Sequence, residues 1–133
     1  MPLVRISVLQ GPEGFGRKVG AVVYRTMVDT IDVPKNDNFQ VITEHSRDTL
    51  VFDRNYMDIP RSDGFVSIQI TLTEGRSLEK KRLLFRTLAE RLQRELNVRP
   101  QDVFVNLVEV KKENWSFGNG LASYVPEEET AAA

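Results

Sequence analysis

The chain is predicted to fold as an α/β (α+β) protein. Two fused β-α-β repeats should form one four-stranded sheet with two helices on one face. Three observations predict this. Period-two alternation of apolar and polar residues appears twice, with Val4, Ile6 and Val8 on one face of the first run and Val66, Ile68, Ile70 and Leu72 on one face of the second. Each run leads through a glycine-bearing turn into a stretch of helical period. The halves also match residue by residue: Asp37-Asn38-Phe39 answers Asp102-Val103-Phe104, and Ile31-Asp32-Val33 answers Leu96-Asn97-Val98, both at a spacing of 65, while Gly11 answers Gly75 at 64.

The elements follow in order. Residues 3–9 alternate as a strand, and Gly11, Pro12, Gly14 and Gly16 end it. Over residues 17–31, Val19, Val22, Val23, Met27 and Ile31 recur at helical spacing. A turn through Pro34, Asn36 and Asn38 precedes a second strand over 39–45. The linker 46–64 is rich in turn residues, with Leu50-Val51-Phe52 as a candidate short strand. Repeat two, residues 65–110, has a strand over 66–73 and a Gly75-Arg76-Ser77 turn in which Ser77 is a good helix N-cap. A helix over 78–96 carries Phe85, Leu88, Leu92 and Leu96 along one stripe, and a last strand covers 103–110. Residues 1–126 form one domain: repeat one (2–45), the linker, repeat two and an aromatic C-terminal segment (111–126). Residues 127–133 have the composition of a flexible tail. Each crossover should be right-handed with its two strands parallel. Helices on one face leave the other sheet face uncovered, which points to homo-oligomerisation through the sheets.

Composition excludes several function classes. The 18 basic and 19 acidic side chains nearly cancel, which argues against nucleic acid as a partner. No stretch is long enough to span a membrane, and no signal peptide opens the chain, so a cytoplasmic protein is expected. The chain has no cysteine and one histidine, which excludes thiolate chemistry and a histidine-rich metal site within one subunit. No cofactor or metal is called for.

The chemistry centres on Met1-Pro2. Proline is small enough for the initiator methionine to be clipped, which leaves a free secondary amine. An α-amino group titrates near pH ~8, and an apolar pocket lowers that by disfavouring the charged form. Such an amine can act as base or acid near neutrality. The bland alternative is an opening proline that does nothing.

Pro2 before a strand, the two β-α-β units and the Gly-Arg-Ser turn together resemble the tautomerase superfamily, and within it the malonate semialdehyde decarboxylase family. The carrying motifs are Met1-Pro2-Leu3, Leu9-Gln10-Gly11, Val33-Pro34 with Asp37, Thr43 with His45, Arg76-Ser77 with Glu79-Lys80-Lys81, Asp102-Val103 and Trp115-Ser116-Phe117-Gly118. The resemblance implies a homotrimer, an N-terminal proline catalyst and a small carboxylate substrate. It matches Pro2 to the catalytic proline and Asp37 to an aspartate that activates water or places the proline's proton. Arg76 matches an arginine that binds the substrate carboxylate, and Trp115 and Phe117 match the apolar wall. Glu74 departs from the pattern, because the decarboxylases carry a second arginine there.

Three functions remain open at this point. The first is a cofactor-free tautomerase acting on a small 2-oxo or enol carboxylic acid through neutral Pro2. The second is malonate semialdehyde decarboxylase or hydratase chemistry through protonated Pro2, against which Glu74 counts. The third is a non-catalytic oligomeric binding protein on the same scaffold. The site residues have plainer readings too. Arg76 can be a solvated turn arginine, Asp37 a turn-former like Asp102, and Trp115 and Phe117 a subunit contact. His45, at a strand end, reads as a hydrogen-bonded structural residue, and Arg5, Gln10, Arg47 and Tyr124 are no more than pocket candidates.

Overall fold

The computed structural model describes residues 1–126; the expected tail 127–133 lies outside them. Strand β1 (Pro2–Leu9) is followed by helix α1 (Phe15–Ile31) and strand β2 (Phe39–His45). Strand β3 (Val66–Thr73), helix α2 (Leu78–Leu96) and strand β4 (Val103–Val110) repeat the pattern. The sheet order is β2-β1-β3-β4. Within each repeat the strands are parallel, and the repeats join through the antiparallel pair β1 and β3.

The duplication is visible in detail. Strands β1 and β3 share one burial pattern, with every second residue sealed. Both helices end on a left-handed residue, Asp32 (φ 60°) and Asn97 (φ 57°). In each case the next amide reaches back over the last turn, Val33 N to Met27 O at 3.4 Å and Val98 N to Leu92 O at 3.2 Å. That closure satisfies helix carbonyls that would otherwise lack partners. The matched triplets of the sequence are therefore matched helix ends.

One core lies between the sheet and the two helices. It contains Val4, Ile6 and Val8 from β1, Val66, Ile68, Ile70 and Leu72 from β3, and Val19, Val22, Val23, Met27 and Ile31 from α1. Gly16 lets α1 lie close on β2, since a Cβ there would stand 2.7 Å from the Ile42 Cγ2 atom. The α2 stripe differs from expectation. Leu84, Leu88 and Leu92 are sealed and Leu96 is partly buried, while Phe85 is 40% exposed. The apolar period of α2 admits either neighbour, and the branched Leu84 takes the inner place. Helix α1 also begins at Phe15 rather than residue 17.

The opposite sheet face is open and mixed. Val103, Val105 and Leu107 pack towards the helices. Leu3 and Leu9 face the other way. Phe39, Leu3, Thr71 and Val108 form one cross-sheet row there, and Val41, Arg5, Gln69 and Asn106 the next.

Leu50-Val51-Phe52 is not a strand. Phe52 stacks on Phe65 with ring centroids 4.2 Å apart, and Arg54 lies over its other side. The following loop is organised by Arg61, which donates to the carbonyls of Asp53, Tyr56 and Ile59. These local bonds compete with strand pairing. Among the described residues no helix is long and apolar enough to cross a membrane.

Candidate active site

The head of β1, the turn after α1 and the start of α2 meet at one end of the sheet. Antiparallel pairing sets Pro2 opposite Leu72 at the foot of β3. Pro2 is buried on the helix side of the sheet, and Met1 precedes it. The Met1 amine stands 3.8 Å from Asp37 Oδ2, with both side chains mostly buried. Burial holds this amine below its ordinary value of 8.0; Asp37 opposes the shift and Arg76 adds to it. Desolvation disfavours the charged form, and the two neighbouring charges act with opposite signs.

Asp37 belongs to the turn through its main chain, with its N–H donating to Pro34 O at 3.3 Å. Its carboxylate is a different matter. Oδ1 is buried without a hydrogen-bond partner among the described residues. Buried polar atoms are nearly always paired, so an orphan next to an amine is a functional signal.

Arg76 is no solvated turn residue. Its Nε donates to Ile31 O at 2.8 Å and its Nη1 to Thr73 O at 3.2 Å. The side chain is thus fixed between the end of α1 and the end of β3, with Nη2 making no bond among the described residues. Ser77 caps α2 as expected, its Oγ accepting from Lys80 N at 3.2 Å.

Trp115 and Phe117 stack at 5.5 Å, and Tyr124 meets Phe117 edge-on at 5.2 Å. The Trp115 indole donates from Nε1 to Thr73 Oγ1 at 3.0 Å. Pro2, Asp37, Arg76, Trp115 and Phe117 therefore gather at the same sheet end. Glu74 is exposed, in a surface hollow with Lys111 and Lys112. His45, Arg47 and Gln10 lie together at the far end of the sheet. Among the described residues no three acidic or histidine side chains converge as a metal site would need. Sequence reasoning missed Thr73 and the Ile31 carbonyl. Strand alternation placed Thr73 opposite the core, but nothing local marked its partners.

The far end of the sheet carries the second copy of the turn aspartate. A hollow there is lined by Leu9, Pro12, Asn97, Arg99 and Asp102 among others. Asp102, the counterpart of Asp37, is 1% exposed and fully engaged. It accepts from Ser62 N at 2.7 Å and Ser62 Oγ at 2.6 Å, which pins the linker. No chain terminus is available at that end, because β3 is entered from Phe65. Asp102→Ala should therefore cost stability and little else. A loss of about 1–3 kcal/mol is expected in urea unfolding, with kcat unchanged.

The tautomerase enzyme family matches residues 37–118, a span that includes Asp37, Arg76 and Trp115. The chain belongs to the tautomerase superfamily. Two probable tautomerases of Bacillus subtilis (strain 168) extend the match along the whole fold. YusQ is 36% identical, covering 94% of this chain and 99% of its own. YrdN is 31% identical, covering 94% and 97%. Among solved structures, this tautomerase superposes on the FG41 malonate semialdehyde decarboxylase inhibited by 3-bromopropiolate with a TM-score of 0.85 and 29% identity, covering 95% of this chain and 96% of that one. A second malonate semialdehyde decarboxylase, described with decarboxylase and hydratase activities, gives 0.83 and 28% with 98% of each chain covered. A fused 4-OT solved as a symmetric trimer shares the fold at 0.72 and 19%, covering 90% of this chain and 94% of its own. The expected fold class and family both hold.

Proposed function

We propose that this tautomerase interconverts small 2-oxo and enol carboxylic acids without a cofactor, using the amine of Pro2 once methionine is removed. One observation carries the reading. The amine at the head of β1 is desolvated, beside an otherwise unpaired carboxylate and within the field of Arg76. These are the surroundings of the Met1 amine, and we infer that the Pro2 amine, one residue further along, shares them once Met1 is removed.

Neutral Pro2 takes the proton from the enol oxygen, and the C–O bond becomes a carbonyl. The protonated amine then delivers that proton to the adjacent carbon. Arg76 holds the substrate carboxylate through the free side of its guanidinium, and Trp115 with Phe117 forms the wall that keeps water away. Asp37 orients the amine proton. A planar guanidinium held by two carbonyls loses little further freedom on binding a carboxylate. We also propose a homotrimer. The open face, with Phe39 54% and Phe104 46% exposed, supports association through the sheets.

A second reading is decarboxylation or hydration of malonate semialdehyde, because both solved relatives at 28–29% identity carry that name. There the amine must be protonated. The pH-rate profile separates the two. In the tautomerase reading kcat/KM rises with pH through the lowered amine pKa and then levels; in the decarboxylase reading it falls over the same range. Asp37→Asn adds a signed check. Asp37 favours the charged amine, so its neutralisation should move the profile's midpoint to lower pH. A midpoint that moves up, or stays, removes Asp37 from the site. No turnover of enol carboxylates or malonate semialdehyde at any pH across the amine's range would favour the non-catalytic binding protein.

A further inference from the structure

We propose that Thr73 is a positioning residue that sets the spacing between the anion anchor and the aromatic wall, and so selects substrates by the size of their apolar part. This rests on the site reading above.

Thr73 is the last residue of β3, in register with Val110 of β4. Its two oxygens face different partners. The carbonyl accepts from Arg76 Nη1 at 3.2 Å, and the hydroxyl accepts from Trp115 Nε1 at 3.0 Å. Trp115 in turn stacks on Phe117, which meets Tyr124 edge-on. One residue at the end of a paired strand thus links the cation that would hold a carboxylate to the rings that would meet the rest of the substrate. Because Thr73 is still paired with Val110, main-chain geometry and one hydroxyl set the separation.

The duplication argues that this clamp is not a scaffold requirement. Strands β1 and β3 superpose at an offset of 64, as Val4 with Ile68, which puts Leu9 where Thr73 stands and Pro12 where Arg76 stands. The repeat closes at that end with neither the hydroxyl nor the guanidinium. Among the described residues the clamp occurs only at the end bearing the amine.

Trp115 is the only tryptophan, so its indole N–H gives a single resonance. Thr73→Val keeps the shape and removes the acceptor; Thr73→Ser keeps the acceptor. In Thr73→Val the indole proton should exchange with solvent about 2- to 10-fold faster, as expected for one lost hydrogen bond. The affinity for cinnamate, a non-reacting aromatic carboxylate, should fall by a similar factor in calorimetry while that for acrylate stays. Under turnover KM should rise for phenylenolpyruvate with kcat little changed, and Thr73→Ser should behave as wild type. Thr73→Ala serves if the valine variant does not fold. An unchanged indole exchange rate overturns the proposal, as does an equal loss of both carboxylates or a Thr73→Ser variant that fails alongside Thr73→Val. Wild type that binds neither carboxylate overturns the site reading itself, an outcome seen before any variant is made.

Discussion

Acylating the amine at the head of β1 is expected to abolish turnover, by about 10²–10⁴-fold, the usual range for removing a positioned base. The reaction is run near neutrality, where lysine side chains stay protonated and an amine of lowered pKa is selectively reactive. Intact mass follows the modified fraction and also reports whether Met1 is present. Activity should fall in step with the modified fraction. Protein that is fully acylated and fully active would end the amine mechanism. Pro2→Ala is the milder companion. It leaves a primary amine in the same place, so partial activity is expected there.

Arg76→Ala should lower kcat/KM by about 10- to 100-fold, from the charge-assisted hydrogen bonds lost to the substrate carboxylate. Most of that loss should appear in KM, since an anchor of this kind grips ground state and transition state alike. Two further signs distinguish it from general damage. Arg76 lowers the pKa of the Met1 amine; if its field acts alike on a Pro2 amine, its removal should move the pH-rate midpoint upward, opposite to Asp37→Asn. Arg76→Lys keeps the charge and should hold the midpoint, while losing the two-pronged contact and the bonds to Ile31 and Thr73. A variant that melts earlier but retains wild-type kcat/KM would reduce Arg76 to a brace between α1 and β3.

Much of this was legible in the chain because the duplication writes each signal twice. Alternation at Val4-Ile6-Val8 and again at Val66-Ile68-Ile70 leaves little room for another assignment, and the paired triplets at the helix ends mark the same left-handed closure. The linker was harder. Leu50-Val51-Phe52 has strand composition, but ring stacking on Phe65 and the loop carbonyls gathered by Arg61 are side-chain contacts that composition does not carry. The aspartate pair is the sharpest case. Asp37 and Asp102 are equivalent by position and were both readable as turn-formers. Only the fold shows that Ser62 occupies both oxygens of Asp102, while Asp37 faces an amine with Oδ2 and keeps Oδ1 without a hydrogen-bond partner among the described residues. Arg76 was likewise ambiguous until its carbonyl partners appeared, because a turn arginine looks the same in sequence whether it points to water or to a neighbouring helix end.

The lock between Ser62 and Asp102 has a numerical corollary. A chain copied head to tail begins with two equivalent termini of the sheet, yet this one has committed its second to holding its own connector. Labelling of the amine proposed as the catalytic group should therefore saturate at a single equivalent per polypeptide, and sequence drift at the far end is expected to leave the rate untouched.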